Sequence, residues 1–296
     1  MDYIKQLVEK KGPEKSDYHA LHVEIERIGT LLDHPSASMQ YSDFLDVIFP
    51  VLSIETMQGF AFHKPHGYSG DYEIIDRIYR KWKSGKEEFR KWDEFFHAQE
   101  APIAVRNRKK FFLDTLVSSN QFREGMHVLN VGSGPGRDMQ EFFQENSDSR
   151  TCFDCIDYDR DSIAYARELC APYLDRIRFF QKNVFRFAPD REYDIIWSAG
   201  LFDYLDDRKF VFLLGKLRAY LKPEGTLVIG NFSRRNPTRK YMELFGKWFL
   251  YHRSEEELVE LARAAGVSDR HIHIFSEPLG VNLFLHVSHS SAPVDD

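Results

Sequence analysis

The sequence predicts an α/β fold: a mostly parallel sheet covered by helices, with its last strand antiparallel, and a helical extension before it. Three observations predict this. From about residue 127 short β-like runs alternate with helical patterns, as strands joined by crossover helices do. Gly132, Gly134 and Gly136 follow the first of those runs, where a strand must turn abruptly into a helix. Upstream of residue 120, Ile74, Ile75, Ile78 and Trp82, and then Phe89, Trp92, Phe95 and Phe96, recur at helical spacing.

Strands are predicted at HVLNVG (127–132), TCFDCID (151–157), IRFFQKN (177–183), YDIIWSAG (193–200) and TLVIGNF (226–232). Helices are predicted at 137–146, 161–173 and 207–221. A further helix begins at SEEELVELARAAG, where Ser254 and Glu257 have capping-box spacing. HIHIFSE and NLFLHVS flank PLGV as a hairpin. Two regions follow: a helical N-terminal region over 1–120 forming the cap or substrate side, and a domain over 121–290 with a lid-like insertion at 234–253. The polar tail HSSAPVDD at 289–296 is expected to fray.

A chain of 296 residues suits one core plus an extension. No apolar run approaches the ~20 residues that cross a bilayer, and the N-terminus lacks the apolar middle of a signal peptide, so a cytoplasmic location is expected. Three cysteines make no disulfide framework. A net charge of -6 argues against a nucleic-acid partner; self-association stays open. Aromatic residues at 15% fit either a large aromatic core or an apolar ligand pocket.

The glycines lie where an open α/β sheet leaves a ligand crevice. A dinucleotide fingerprint wants a small residue where Arg137 stands, and a phosphate loop wants a Lys-Ser/Thr pair that is absent. S-adenosylmethionine (SAM) needs close backbone approach without a phosphate cradle, and G-x-G-x-G suits it. Asp157, 21 residues after Gly136, is placed to accept from ribose hydroxyls, since Asp159 and Asp161 are better placed to cap the next helix. Arg106 is the better candidate for the cofactor's carboxylate; Arg108 is expected to be a solvated surface residue.

VLNVGSGPGRD, CIDYD, KNVFRF, YDIIWSAGLFDYL and LKPEGTLVIGNF, over roughly 125–288, resemble the ordered motifs of class I SAM-dependent methyltransferases. The resemblance implies a Rossmann-like class I methyltransferase sheet. It puts Gly132, Ser133, Gly134, Gly136, Asp157 and Tyr158 around SAM and Asn183 and Val184 at the adenine, where the family more often has Asp for Asn183. Ser198, Ala199 and Gly200 would line the path to the acceptor. A narrower resemblance rests on HKPHGYSGDYEIIDRIY (63–79), VRNRKKFF (105–112) and GNFSRRNPTRKYMELFGKWFLYHRSEEEL (230–258). These are similar to a bacterial methyltransferase family that includes synthases of methyl 3-hydroxy fatty acid signals. By that likeness His66 and Tyr72 face the acceptor and Tyr68 covers the cofactor's methionine end, although a tight turn with Asp71 capping the next helix also explains the segment.

Tyr241 and Trp248, with Phe245, Phe249 and Tyr251, fit an apolar lid rimmed by Arg235, Arg239 and Arg253, and fit a core helix equally well. Asp203 and Asn231 follow the fourth and fifth predicted strands on the acceptor side; no full metal-ligand set accompanies them, and Cys152 and Cys155 form a lone pair inside a predicted buried strand, so no metal is expected. The expected function is SAM-dependent O-methylation of a small or lipid-like carboxylic acid. The alternatives are methylation of a nitrogen or hydroxyl in a specialised metabolite, and a non-catalytic SAM-binding regulator. Base-flipping DNA methylation is disfavoured, because SAGLFDY lacks the Asn/Asp-Pro-Pro-aromatic signature.

Overall fold

The computed structural model describes residues 1–33, 41–119 and 125–288. The tail at 289–296, and residues 121–124 of the expected 121–290 domain, lie outside the described residues. In chain order the helices are α1 (Asp2–Glu9), α2 (Tyr18–Asp33), α3 (Tyr41–Ile48), α4 (Met57–His63), α5 (Tyr72–Tyr79), α6 (Glu87–Ala98), α7 (Glu100–Ser118), α8 (Arg137–Glu145), α9 (Arg160–Leu169), α10 (Asp207–Arg218), α11 (Arg239–Gly246) and α12 (Glu255–Ala264). The strands are β1 (His127–Val131), β2 (Cys152–Asp157), β3 (Ile177–Gln181), β4 (Tyr193–Ser198), β5 (Leu221–Phe232), β6 (Ile272–Ser276) and β7 (Asn282–Ser288).

The chain divides into two compact units: residues 1–106 with 236–249, and residues 107–235 with 250–296. The division falls inside α7, upstream of the expected boundary at 120, and it counts α11 with the helical unit.

In the helical unit local capping sets the starts of α4 and α5. Thr56 accepts from Gly59 N, and Asp71 accepts from Glu73 N and Ile74 N. α5 ends at Tyr79, so Trp82 lies just beyond its helical stripe. The aromatic stripe of α6 meets partners within this unit: Trp92 lies 6.3 Å from Phe245, and Phe95 lies 5.4 Å edge-on from Tyr241. Phe44 of α3 meets Phe245 edge-on at 5.4 Å. Tyr241 and Trp248 are only 3% and 8% exposed, so burial places this part of 234–253 in a core, whereas Phe249 and Tyr251 are exposed.

In the other unit the sheet order is β3-β2-β1-β4-β5-β7-β6. The pairs β1–β2, β2–β3, β1–β4 and β4–β5 are parallel, and β7 is antiparallel to both β5 and β6. β5 begins earlier than expected, at Leu221, and a register irregularity opposite Tyr193 admits the extra residues. Alternate residues feed the two faces. Leu129 and Val131 join Leu213, Leu214 and Leu258 of α10 and α12, while Val128 joins Phe112 of α7 and Phe142 of α8. Phe112 stacks on Trp197 at 4.5 Å and Phe111 on Phe284 at 3.9 Å; such pairs add about 0.5–1.5 kcal/mol each beyond the area they bury. Ser254 and Glu257 form the expected capping box of α12.

Candidate functional site

The turn from β1 to α8 is built by left-handed backbone. Gly132, Gly134 and Gly136 have φ of 65°, 57° and 74°, a region that side chains with a Cβ rarely adopt. At Gly136, the N-cap of α8, a Cβ would also stand 3.0 Å from Ala166 Cβ, a tight approach that the neighbouring helix would have to relieve by a small shift. Gly134 differs, because nothing lies within 4 Å of where its Cβ would be. That leaves bare backbone facing open space at the carboxyl end of the sheet, where a ligand can approach.

Asp157 at the end of β2 closes this turn. Its Oδ2 accepts from Gly134 N at 3.0 Å and its Oδ1 from Asp159 N at 3.0 Å. Asp159 is the N-cap of α9, accepting from Asp161 N, so helix capping does not occupy Asp157. Burial raises the Asp157 pKa, against the lowering effect of the Asp159 and Gly134 amides. Oδ1 has a lone pair beyond the one used, while Ser162 Oγ also lies 3.5 Å from Oδ2. Ser133 is buried, and its Oγ has no partner, an orphan that a bound ligand would satisfy. Tyr158, beside Asp157, is 77% exposed. Asn183 caps the short turn Val184–Arg186, its side chain accepting from Phe185 N at 2.9 Å. Val184 is buried in the core, and its carbonyl accepts from Phe187 N and Lys216 Nζ, so any ligand contact falls to its backbone N–H.

Ser198 at the end of β4 donates to Val131 O at 3.1 Å. Next to it lies the main departure from expectation. Arg108 is not a solvated surface residue: it is 6% exposed, and its Nη1 donates to Ala199 O at 2.9 Å. Its Nη2 is the nearest atom to the place a Cβ would take on Gly200, at 3.5 Å, and its Nε is buried without a partner. Arg106, in the helical unit, donates from Nη2 to His97 O at 2.8 Å, and burial lowers its pKa. The signal for Arg108 lies in spacing, since Ala104, Arg108, Phe112 and Leu116 form one four-residue repeat along α7 and all are buried.

Asp203, Asn231 and Arg253 are brought together as a buried network. Asp203 Oδ1 accepts from Phe232 N at 2.6 Å, Asn231 Oδ1 accepts from Arg253 Nη1 at 2.9 Å, and Arg253 Nη2 donates to Leu205 O at 2.6 Å. These side chains are engaged in closing the loops after β4 and β5. Among the described residues no group of three or more His, Cys, Asp or Glu is arranged to hold a metal.

Burial pushes Asp203 up to about 6, and Asp138, at the start of α8, up to about 6 as well. A carboxyl whose folded pKa exceeds its unfolded value binds more protons in the folded state. Each of these groups therefore contributes stability that is lost as pH rises from about 4 through 6, with a slope of at most about 1.4 kcal/mol per pH unit for each. Asp203→Asn keeps an acceptor for Phe232 N without the charge, so thermal melts of this variant should vary less than wild type between about pH 4 and pH 6.5.

The polar cluster at 66–72 lies in the helical unit. Gly67 and Gly70, with φ of 87° and 71°, turn the loop between α4 and α5. The His66 ring is 4.6 Å from that of Tyr72, and its Nε2 lies 2.9 Å from Glu73 Oε2. Tyr68 is 40% exposed. Asp71 does cap α5, as the simpler explanation of this segment requires, while His66 and Tyr72 stay together.

A doubly wound sheet with one reversed strand, a glycine turn after β1 and a carboxylate at the end of β2 fit the class I methyltransferase fold that the sequence resemblance implies. Comparison with known proteins agrees: residues 122–266 match the family model of a methyltransferase domain. A malonyl-[acyl-carrier protein] O-methyltransferase of Ilyobacter polytropus is 22% identical over 111 residues, 38% of this chain and 41% of that protein. The match thus spans about two fifths of that relative's length. A solved structure of a possible exported protein from Bordetella parapertussis superposes with a TM-score of 0.68 at 17% identity, covering 94% of this chain and 98% of that one. The magnesium protoporphyrin IX methyltransferase of Synechocystis PCC 6803, with bound SAH, superposes with a TM-score of 0.52 at 14% identity, covering 73% and 94%. Residues 122–266 thus carry a methyltransferase domain, and the solved structures share its fold. Among the described residues no helix is long and apolar enough to cross a membrane.

Proposed function

We propose that the protein transfers a methyl group from SAM to the carboxylate oxygen of a small or lipid-like acid. The observation that carries the SAM part is the Asp157 carboxylate tied to the amide of Gly134, a residue with open space where a Cβ would stand. Asp157 would hold the ribose hydroxyls, the orphaned Ser133 Oγ would meet the nucleoside against the bare glycine backbone, and Asn183 and Val184 would meet the adenine. Arg108, with an unpartnered Nε beside Ala199 and Gly200, is the stronger candidate for the carboxylate of the methionine end, ahead of Arg106. The acid acceptor is supported by the resemblance to the methyl-ester-forming family and by the name of the Ilyobacter relative.

When bound, the cofactor supplies an electrophilic methyl on a sulfonium. The protein's task is then to hold an acceptor oxygen in line at ~3–3.5 Å and exclude water. A carboxylate is already ionised at neutral pH and gives up no proton on becoming an ester, so it needs no base. His66 and Tyr72 would position it. A second reading, a hydroxyl or amine acceptor, is favoured by one observation: His66 is paired with a carboxylate, an arrangement suited to a general base.

The test is purified protein with methyl-labelled SAM and fractionated cell extract. A labelled product that releases labelled methanol in alkali supports the ester; label that survives alkali overturns it for the second reading. For the ester, His66→Ala should lower the rate modestly and leave the pH profile flat near neutrality, whereas a steep loss with a shifted basic limb would indict a hydroxyl or amine.

A further inference from the structure

One face of α5 carries a feature that the cofactor reading does not use. Glu73 and Arg77 stand four residues apart, so their side chains meet on that face. Arg77 donates to Glu73 Oε1 from both Nε, at 3.1 Å, and Nη2, at 2.7 Å. The guanidinium is itself fixed, its central carbon 3.8 Å from the Phe60 ring centroid and 4.3 Å from that of Trp82. Two aromatic faces around one cation leave it little freedom to turn. The other oxygen of Glu73, Oε2, reaches His66 Nε2.

The chemistry of this chain of contacts assigns the proton. Burial alone would raise the Glu73 pKa, but the hydrogen bonds from His66 and Arg77 outweigh it and hold the carboxyl below its usual value. An ionised carboxylate can only accept, so Nε2 of His66 is the protonated nitrogen. Nδ1 is then the nitrogen left for other work, whichever charge the ring carries. An isolated loop histidine would sample several ring orientations at some entropic cost. Here the anchor runs from the Phe60–Arg77–Trp82 sandwich through Glu73 to the ring.

We propose that Glu73, braced by Arg77, is a positioning residue that fixes the orientation and tautomer of His66 so that Nδ1 is presented to the methyl acceptor. This rests on the reading of His66 as an acceptor-side residue. With an acid acceptor the ring must carry a second proton, and Nδ1–H then donates to the carboxylate; with a hydroxyl or amine the ring is neutral and Nδ1 takes the proton.

A double-mutant cycle tests the proposal in the full-length protein, using the rate of labelled-product formation from methyl-labelled SAM and the active extract fraction. Glu73→Gln should slow the reaction by up to about 10-fold, the factor expected for one charge-assisted hydrogen bond, and by no more than His66→Ala does. The same change made on top of His66→Ala should slow it no further than about twofold, because Glu73 acts only through the ring. Losses that multiply in the double variant would show a merely structural role and overturn the proposal. A second readout needs no substrate. Proton NMR of the wild type should show a slowly exchanging imidazole N–H that disappears in both Glu73→Gln and His66→Ala. Absence of that signal in the wild type overturns the relay even if methyl transfer is found. Its presence in a protein that labels nothing upholds the relay and places the failure in the methyl-transfer reading.

Discussion

Asp157→Ala is expected to weaken SAM binding by about 1.5–3 kcal/mol, roughly 10–150-fold in Kd by calorimetry, the worth of charged hydrogen bonds to a ligand. The same carboxylate also accepts from Gly134 N and Asp159 N, so the Ala variant additionally loosens the glycine turn. Asp157→Asn separates the two effects: its carbonyl keeps one of those backbone bonds while the charge is lost. Its affinity should fall between wild type and Ala, with little change in melting temperature. The raised pKa of Asp157 adds a sign that can be checked. The carboxyl protonates at a higher pH than an ordinary aspartate, so wild-type affinity should begin to fall on acidification earlier than an unperturbed Asp would allow, and the fall should be absent in the Ala variant. Calorimetric affinity that does not change in Asp157→Ala would mean that the ribose is held elsewhere.

The crevice is legible in the sequence because its residues are constrained by backbone geometry. Three left-handed turns within five positions demand glycine almost whatever else surrounds them, and a carboxylate at the end of the second strand follows at a spacing that the crossover helix sets. Asp159 is legible as the cap of α9 for the same local reason. Features that depend on what packs against a residue are harder to read. Residue type alone sends Arg108 to solvent, although its four-residue spacing from Ala104 and Phe112 puts it on the buried face of α7. Spacing identifies the helix around Tyr241 and Phe245 but not its environment, since a lid and a core helix share one pattern; contacts with Phe44, Trp92 and Phe95, residues far away in sequence, decide it. Asp203, Asn231 and Arg253 illustrate the same limit. Polar residues at or beyond strand ends look available for substrate, yet here each is bound to backbone or to another member of the network. The aromatic abundance belongs largely to packed pairs such as Phe112–Trp197 and Phe111–Phe284.

Arg108 should discriminate SAM from its decarboxylated analogue. A buried guanidinium carries its charge wherever it sits, and one whose Nε lacks a partner has a strong hydrogen bond in reserve for an anion. Arg108→Gln is therefore expected to weaken SAM binding about 100-fold, close to 2.7 kcal/mol, while leaving affinity for decarboxylated SAM nearly unchanged. Lysine at this position keeps a charge but not the planar fork, so Arg108→Lys should recover only part of the loss. The bond from Arg108 Nη1 to Ala199 O means that the Gln variant also loses packing at the end of β4. That cost falls on both ligands alike, so the ratio of the two affinities, and not either alone, carries the result. Arg106→Gln is the matched control: its guanidinium likewise serves one carbonyl, His97 O, and keeps one buried nitrogen, Nη1, without a partner, so only the place of Arg108 beside Ala199 and Gly200 separates the two, and the Arg106 ratio should stay at the wild-type value. A ratio that collapses in the Arg106 variant and survives in the Arg108 variant would exchange their roles, and would put the methionine carboxylate on the earlier of the two arginines.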